Sequence, residues 1–126
     1  LIIEVRVEEH KIFQRDGNDL LCEVPISFAE AALGAEIDIP IIGGKTEKFT
    51  IPEGTQSGTS FTVRGKGITI PRTQNRRGDL IFVVNVEIPR GLNEKQKEAM
   101  RAFADSCGES NYSKKEGFFK RIFDKK

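Results

Sequence analysis

Histidine occurs once in this chain of 126 residues and cysteine twice. No stretch approaches the run of about 20 apolar residues that a membrane helix needs. Each scarcity removes function classes. With His10 as the single imidazole, serine triads, Cys–His pairs and most zinc sites lack a component. Cys22 and Cys107 allow at most one intrachain disulfide and form no CxxC pair. A secreted disulfide scaffold is therefore not expected, and reduced thiols in the cytoplasm are. The N-terminus has no signal-peptide pattern. It opens inside strand-like sequence, so the chain is read as a piece of a longer protein.

What is present fits a globular domain with a real core: 37% hydrophobic and 31% charged residues. Charge is unevenly spread. Residues 1–112 hold 14 basic and 17 acidic residues, a net −3, whereas residues 113–126 hold six and two, a net +4. A basic tail on a slightly acidic body does not make a nucleic-acid groove, so no nucleic-acid partner is expected.

The pattern is mainly β. "LIIEVRVEE" (1–9) alternates like a half-buried strand, and "LLCEVPI" (20–26) follows the turn cluster "RDGND". "SFAEAALG" (27–34) has capping-box spacing at Ser27 and Glu30 and a closing glycine, which predicts a two-turn helix needing a sheet to pack on. "AEIDIPII" and "KTEKFTIP" flank Gly43–Gly44. A two-residue loop would put Phe49 and Ile51 on the polar face. The spacing therefore predicts a three-residue loop with a glycine bulge, pairing Ile39 with Phe49 and Ile37 with Ile51. "SFTVRGKGITI" (60–70) reads as strand, turn and strand. "DLIFVVNVEIP" (79–89), the most apolar run, reads as a central strand. "LNEKQKEAMRAFADSCG" (92–108) reads as a helix capped by Asn93 with Gln96 and ended by Gly108, with Ala99, Met100, Ala102 and Phe103 as its apolar stripe. "ESNYSKKEG" (109–117) reads as a linker, and the last segment as a short amphipathic helix.

Candidate chemistry is thin. Cys22 falls on a core face and reads as a small buried apolar residue rather than a nucleophile. "RGKG" (64–67) suggests a phosphate nest, but it lacks the Walker spacing, and a tight turn explains it. "RGD" (77–79) is explained by the turn into a strand. Carboxylate pairs such as Glu8/Glu9 and Asp16/Asp19 read as solvated charge. The chain is not expected to be an enzyme. Pro25 and Pro40 are more informative, because proline inside strand-like sequence marks an edge. An apolar edge can accept a client strand by β-augmentation.

"HKIFQRDGNDLLCEVPISFAEAALGAEIDIP" (10–40), "IPEGTQSGTSFTVRGKGI" (51–68) and "GDLIFVVNVEIPRGLNEKQKEAM" (78–100) resemble the C-terminal region of the DnaJ family of J-domain co-chaperones. The resemblance implies a mainly β fold: a small sandwich-like domain with one short internal helix, then C-terminal helices. It divides the chain into the end strand of a preceding β-domain (1–9), a second substrate-binding β-domain (10–92) and a helical dimerisation region (93–126). It implies a homodimer that binds unfolded polypeptides and hands them to a DnaK-type chaperone in protein folding and the stress response. The sequence has no His-Pro-Asp motif and no CxxCxGxG repeats. The ATPase-stimulating J domain and the family's zinc would then belong to parts of the parent outside this sequence, and no cofactor is expected here. By carry-over from the sister domain, the client-binding positions fall at Val24, Ile39, Ile41 and Phe82. Ile39→Asp is expected to weaken client capture and leave the fold intact. The alternative is a structural dimerisation and spacer module with client binding elsewhere.

The terminal "KKEGFFKRIFDKK" places Phe118, Phe119, Ile122 and Phe123 at i, i+4 spacing. A membrane-surface helix and a cap on the chain's own sheet are alternatives. The family resemblance favours a dimer clasp in which the stripe meets its symmetry mate.

Overall fold

A computed structural model describes residues 12–73 and 76–123. The strand expected over 1–9 and the lone His10 lie outside them. The chain forms two compact units, Leu1–Pro89 and Arg90–Lys126.

The described residues of the first unit form six strands and a short helix: β1 Gln14–Asp16, β2 Asp19–Ser27, α1 Phe28–Leu33, β3 Ala35–Ile41, β4 Lys45–Ile51, β5 Ser60–Val63 and β6 Leu80–Glu87. Four of the strands form one sheet in the order β1-β2-β6-β5, and β3 and β4 form a separate hairpin. The expected central strand is β6. It pairs parallel with β2 along its whole length, Leu20 opposite Leu80 through Ser27 opposite Glu87, and antiparallel with β5. Alternation then puts Leu20, Cys22, Val24 and Ile26 of β2 on the same side as Leu80, Phe82 and Val84 of β6. These seven are buried with Ile37, Ile39 and Ile51 of the hairpin and Ala31 of α1. The hairpin therefore covers the sheet's apolar face, and the core lies between them.

α1 forms as its sequence dictates. The Ser27 hydroxyl accepts from the Glu30 amide at 3.1 Å, and the Glu30 carboxylate accepts from the Ser27 amide at 2.8 Å. Gly34 ends it at φ 76. A Cβ there would stand 3.0 Å from the Ile51 carbonyl oxygen and the Glu53 amide nitrogen.

The β3–β4 turn has three residues, Ile42–Gly44, with φ of 99 at Gly43 and 72 at Gly44. Its register differs from the expected one by two residues. Ile37 faces Phe49, Ala35 faces Ile51, and Ile39 faces Glu47. A shift of two preserves which face each side chain occupies, so Phe49 and Ile51 still point at the core. On the outer face Lys48 bonds Asp38 at 3.2 Å and reaches Glu36 at 3.8 Å. These two carboxylates, Asp38 first, hold the ammonium above its ordinary pKa.

In the sequence after β5, the expected second strand reduces to one bridge, Thr69 to Arg77. The "RGKG" turn is tied down by its neighbours. The Gly65 amide donates to Asp79 Oδ1 at 3.0 Å, and the Asp79 amide donates to Asp19 Oδ1 at 2.7 Å. An amide that a phosphate nest would use is already taken by the Asp79 carboxylate.

The second unit contains α2 Glu94–Ser106, a 3₁₀ turn Glu109–Asn111 and α3 Ser113–Phe123. Asn93 and Gln96 form the expected capping box. Two boundaries differ from the sequence reading. α2 ends on Cys107, which leaves the helix in an extended conformation, one residue before Gly108. The stretch read as a linker is instead ordered into the 3₁₀ turn and the first turns of α3. Gly117 lies within that helix despite its poor propensity.

Candidate functional site

The four positions carried over as client-binding residues all face the layer between sheet and hairpin. Val24 comes from β2, Ile39 and Ile41 from β3, and Phe82 from β6. Val24, Ile39 and Phe82 are core residues, the last two with 0% exposure, and Ile41 alone is half-buried. Ile39→Asp is therefore expected to destabilise the fold, where the sequence reading expected it to stay intact. A carboxylate at that position would be stripped of water with no partner in an apolar layer.

Around this core runs a rim of partly buried apolar side chains: Ile41, Ile42, Phe49, Phe61, Val63 and Ile68. Two aromatics join rim to core. Phe82 meets Phe49 edge-on at 5.0 Å between ring centroids and Phe61 at 5.4 Å, and Phe49 and Phe61 lie 5.3 Å apart. Such pairs add to the stability that area burial alone supplies. Phe61 was not among the positions named from the sequence. The signal was its alternation with Val63 in a short strand at the sheet edge. A half-buried ion pair, Lys66 to Glu47 at 3.6 Å, ties the turn after β5 to β4 across the rim.

The strand edges agree with the proline argument. β3 pairs with β4 on one side and with no strand on the other among the described residues. It carries Pro40 next to Ile41. Pro25 lies beyond the stretch of β2 that β1 covers, which ends at Leu21. Adding a peptide strand requires unpaired backbone groups and side-chain contact; among the described residues β3 has such an edge, and half-buried Ile41 stands at its end.

In the second unit no residue of α2 or α3 is buried. Phe118, Phe119, Ile122 and Phe123 are 51, 45, 51 and 68% exposed. Phe118 meets Phe119 edge-on at 5.3 Å, and Phe119 stacks on Phe123 at 6.4 Å. The helix thus preorganises its own apolar stripe. On α2, Met100 and Phe103 are also exposed. Tyr112 donates its hydroxyl to Cys107 Sγ at 3.5 Å. That bond raises the phenol's pKa.

Nothing in this arrangement supplies a nucleophile with a base. Burial pushes the Cys22 thiol up to about 11, the reverse of activation. Among the described residues no group of three His, Cys, Asp or Glu side chains could hold a metal ion. No helix among them is long and apolar enough to cross a membrane.

Residues 1–89 match the family model described as the DnaJ C terminal domain, and residues 95–125 match the one described as the Chaperone protein DnaJ C-terminal region. The chain is similar to "Chaperone protein DnaJ" of Acetivibrio thermocellus, 52% identical over 98% of this chain and 32% of that protein. It is 50% identical to the protein of the same name in Clostridioides difficile, over the same shares. Against that of Natronomonas pharaonis it is 44% identical over 97% of this chain and 31% of the relative. The chain spans about a third of the length of these relatives.

Proposed function

Because the chain belongs to the DnaJ family, whose C-terminal models match it across nearly its whole length, we propose that it is a client-binding and dimerisation region of a co-chaperone. It binds non-native polypeptide through the apolar rim beside the open β3 edge. The parent protein delivers those clients to a DnaK-type chaperone in the cytoplasm and does no chemistry on them. The observation that carries the reading is that rim: six half-buried apolar side chains around the buried Phe82, with Ile41 at the end of a strand that has one unpaired edge among the described residues. Of the carried-over positions, Ile41 touches a client directly. Val24, Ile39 and Phe82 form the floor that holds the rim in shape.

The test is Ile41→Asp, since Ile41 is only half-buried at the strand's end. Capture of an unfolded client by the full chain, read by suppression of its aggregation, should weaken about tenfold, the loss expected from removing one apolar contact and desolvating a charge. The denaturation midpoint should shift little. Unchanged capture would remove the rim as the site.

The exposed stripe of α3 supports a second role, dimerisation through Phe118, Phe119, Ile122 and Phe123. If capture survives every rim substitution while the dimer persists, the chain is a structural spacer and clients bind elsewhere in the parent.

A further inference from the structure

We infer that the loop between β5 and β6 sorts bound polypeptides by charge, favouring extended segments whose apolar stretch is flanked by carboxylates. The inference rests on the client reading above and adds a class of substrate to it.

The body segregates its charge by position. Residues 12–63 hold three basic and eight acidic residues, and residues 78–89 hold two acidic and no basic ones. Between them, residues 64–77 hold five basic residues, Arg64, Lys66, Arg72, Arg76 and Arg77, and no acidic one. The four arginines are exposed. Among the described residues none of the four forms an ion pair, although the body around them is acidic.

The backbone explains why they find no ion-pair partner among the described residues. The Gly67 amide donates to the Gly78 carbonyl at 2.8 Å, the Gly78 amide to Ile68 at 2.9 Å, and the Ile70 amide to Arg76 at 2.7 Å. The Ile68 amide donates to the Asn18 carbonyl at 2.8 Å, pinning the loop to the β1–β2 turn. The approach is so close that a Cβ at Gly67 or Gly78 would stand 2.6 or 2.1 Å from the Asn18 oxygen. Arg64, Arg76 and Arg77 thus stand on or beside backbone that these bonds hold, rather than on a chain free to collapse onto the body's carboxylates. Arg72 is held at φ 64, a conformation that costs an L-residue energy and that the surrounding structure must enforce.

The loop adjoins the rim. It begins at the residue after Val63 and includes Ile68, both rim residues, and its Lys66 already reaches Glu47 on β4. Arg64 follows Val63 directly, and Arg77 and Arg76 lie opposite Thr69 and Ile70, next in the chain to Ile68; a segment whose apolar side chains sit on Val63 and Ile68 would run its flank toward these arginines. The field is screened within about 8 Å at physiological salt, so it acts on flanks and not on distant charge. The apolar rim favours a polypeptide over a nucleic acid. Bases need free aromatic faces to stack on, and Phe49 and Phe61 are engaged with each other and with Phe82.

The test uses the full chain and three fluorescent peptides with one apolar core, flanked by four serines, four glutamates or four lysines. Anisotropy titrations should rank glutamate above serine above lysine, with a gap of roughly three- to tenfold per step, as a few exposed pairs supply. The triple variant Arg64→Gln, Arg76→Gln, Arg77→Gln should collapse the ranking and leave the serine peptide's affinity unchanged, as should 0.5 M salt in the wild type. These are surface positions, and a thermal melt confirms the fold. Equal affinity for all three peptides overturns the inference and leaves the client reading standing. Failure of all three to bind overturns both. A single-stranded oligonucleotide that binds more tightly than the glutamate peptide and is lost in the triple variant would reassign the loop to nucleic acid.

Discussion

Phe82 has no exposed surface, and its ring contacts bind sheet to hairpin through Phe49 and Phe61. Phe82→Ala should cost about 3–5 kcal/mol, because it removes both the buried ring and its neighbours' contacts. A urea titration checks this, and a loss under 1 kcal/mol would mean that the layer closes over the gap. Cys22 gives a second test at this scale. Burial raises its thiol from a reference value of 9.0 to about 11. Below pH 9 both folded and unfolded states keep the proton, and stability is unaffected. From pH 9 to 11 the unfolded state loses it first and binds fewer protons, so the thiol makes stability fall as pH rises. Native protein should accordingly react with a thiol reagent at half-buried Cys107, and at Cys22 only once unfolded. Counting modified thiols with and without denaturant checks that order.

At the scale of elements, α1 is six residues long and has no independent stability. Its capping box and its docking on the sheet hold it together. Ser27→Ala should cost about 1 kcal/mol. Gly34→Ala should cost more, since it combines a left-handed backbone with a clash against two backbone atoms of the chain after β4. Denaturation of the two variants side by side tests the ranking. The reverse order would mean that the backbone at Ile51–Glu53 yields easily. The hairpin shows how far pattern carries. Alternation decided which side chains face inward and, by excluding a two-residue loop at the glycine pair, a three-residue turn. The choice between registers two apart depends on which residues flank the turn, and both registers satisfy alternation.

At the scale of the whole molecule, the exposed aromatics of α3 are a liability unless covered. The proposed symmetric contact between two copies would cover both stripes while the lysines stay in water. On that proposal the unmutated chain should sediment as a dimer, and Phe119→Ser with Phe123→Ser should give a folded monomer. A persistent dimer would move the interface elsewhere. On the proposed function, two weak client-binding arms on one dimer would gain affinity through avidity without any new contact, and tail and rim would serve one function.

The linear sequence by itself determined the elements whose signals are local: the capped helices at Ser27 and Asn93, the central strand over 80–87, the inward faces of β3 and β4, and the scarcity of catalytic side chains. Its resemblance also placed the chain in its family. Only the tertiary structure decided the rest. The parallel pairing of β2 with β6 joins residues about sixty apart, and no local pattern encodes it. The burial of Val24, Ile39 and Phe82 depends on a hairpin closing over a sheet, which turned three expected contact residues into a floor. α3 begins at Ser113 because continuous backbone bonding carries the helix through Gly117, where propensity alone suggested a break. The physical reason is common to the first two. Periodicity reports which side of an element is apolar, but what covers that side is set by partners distant in the chain.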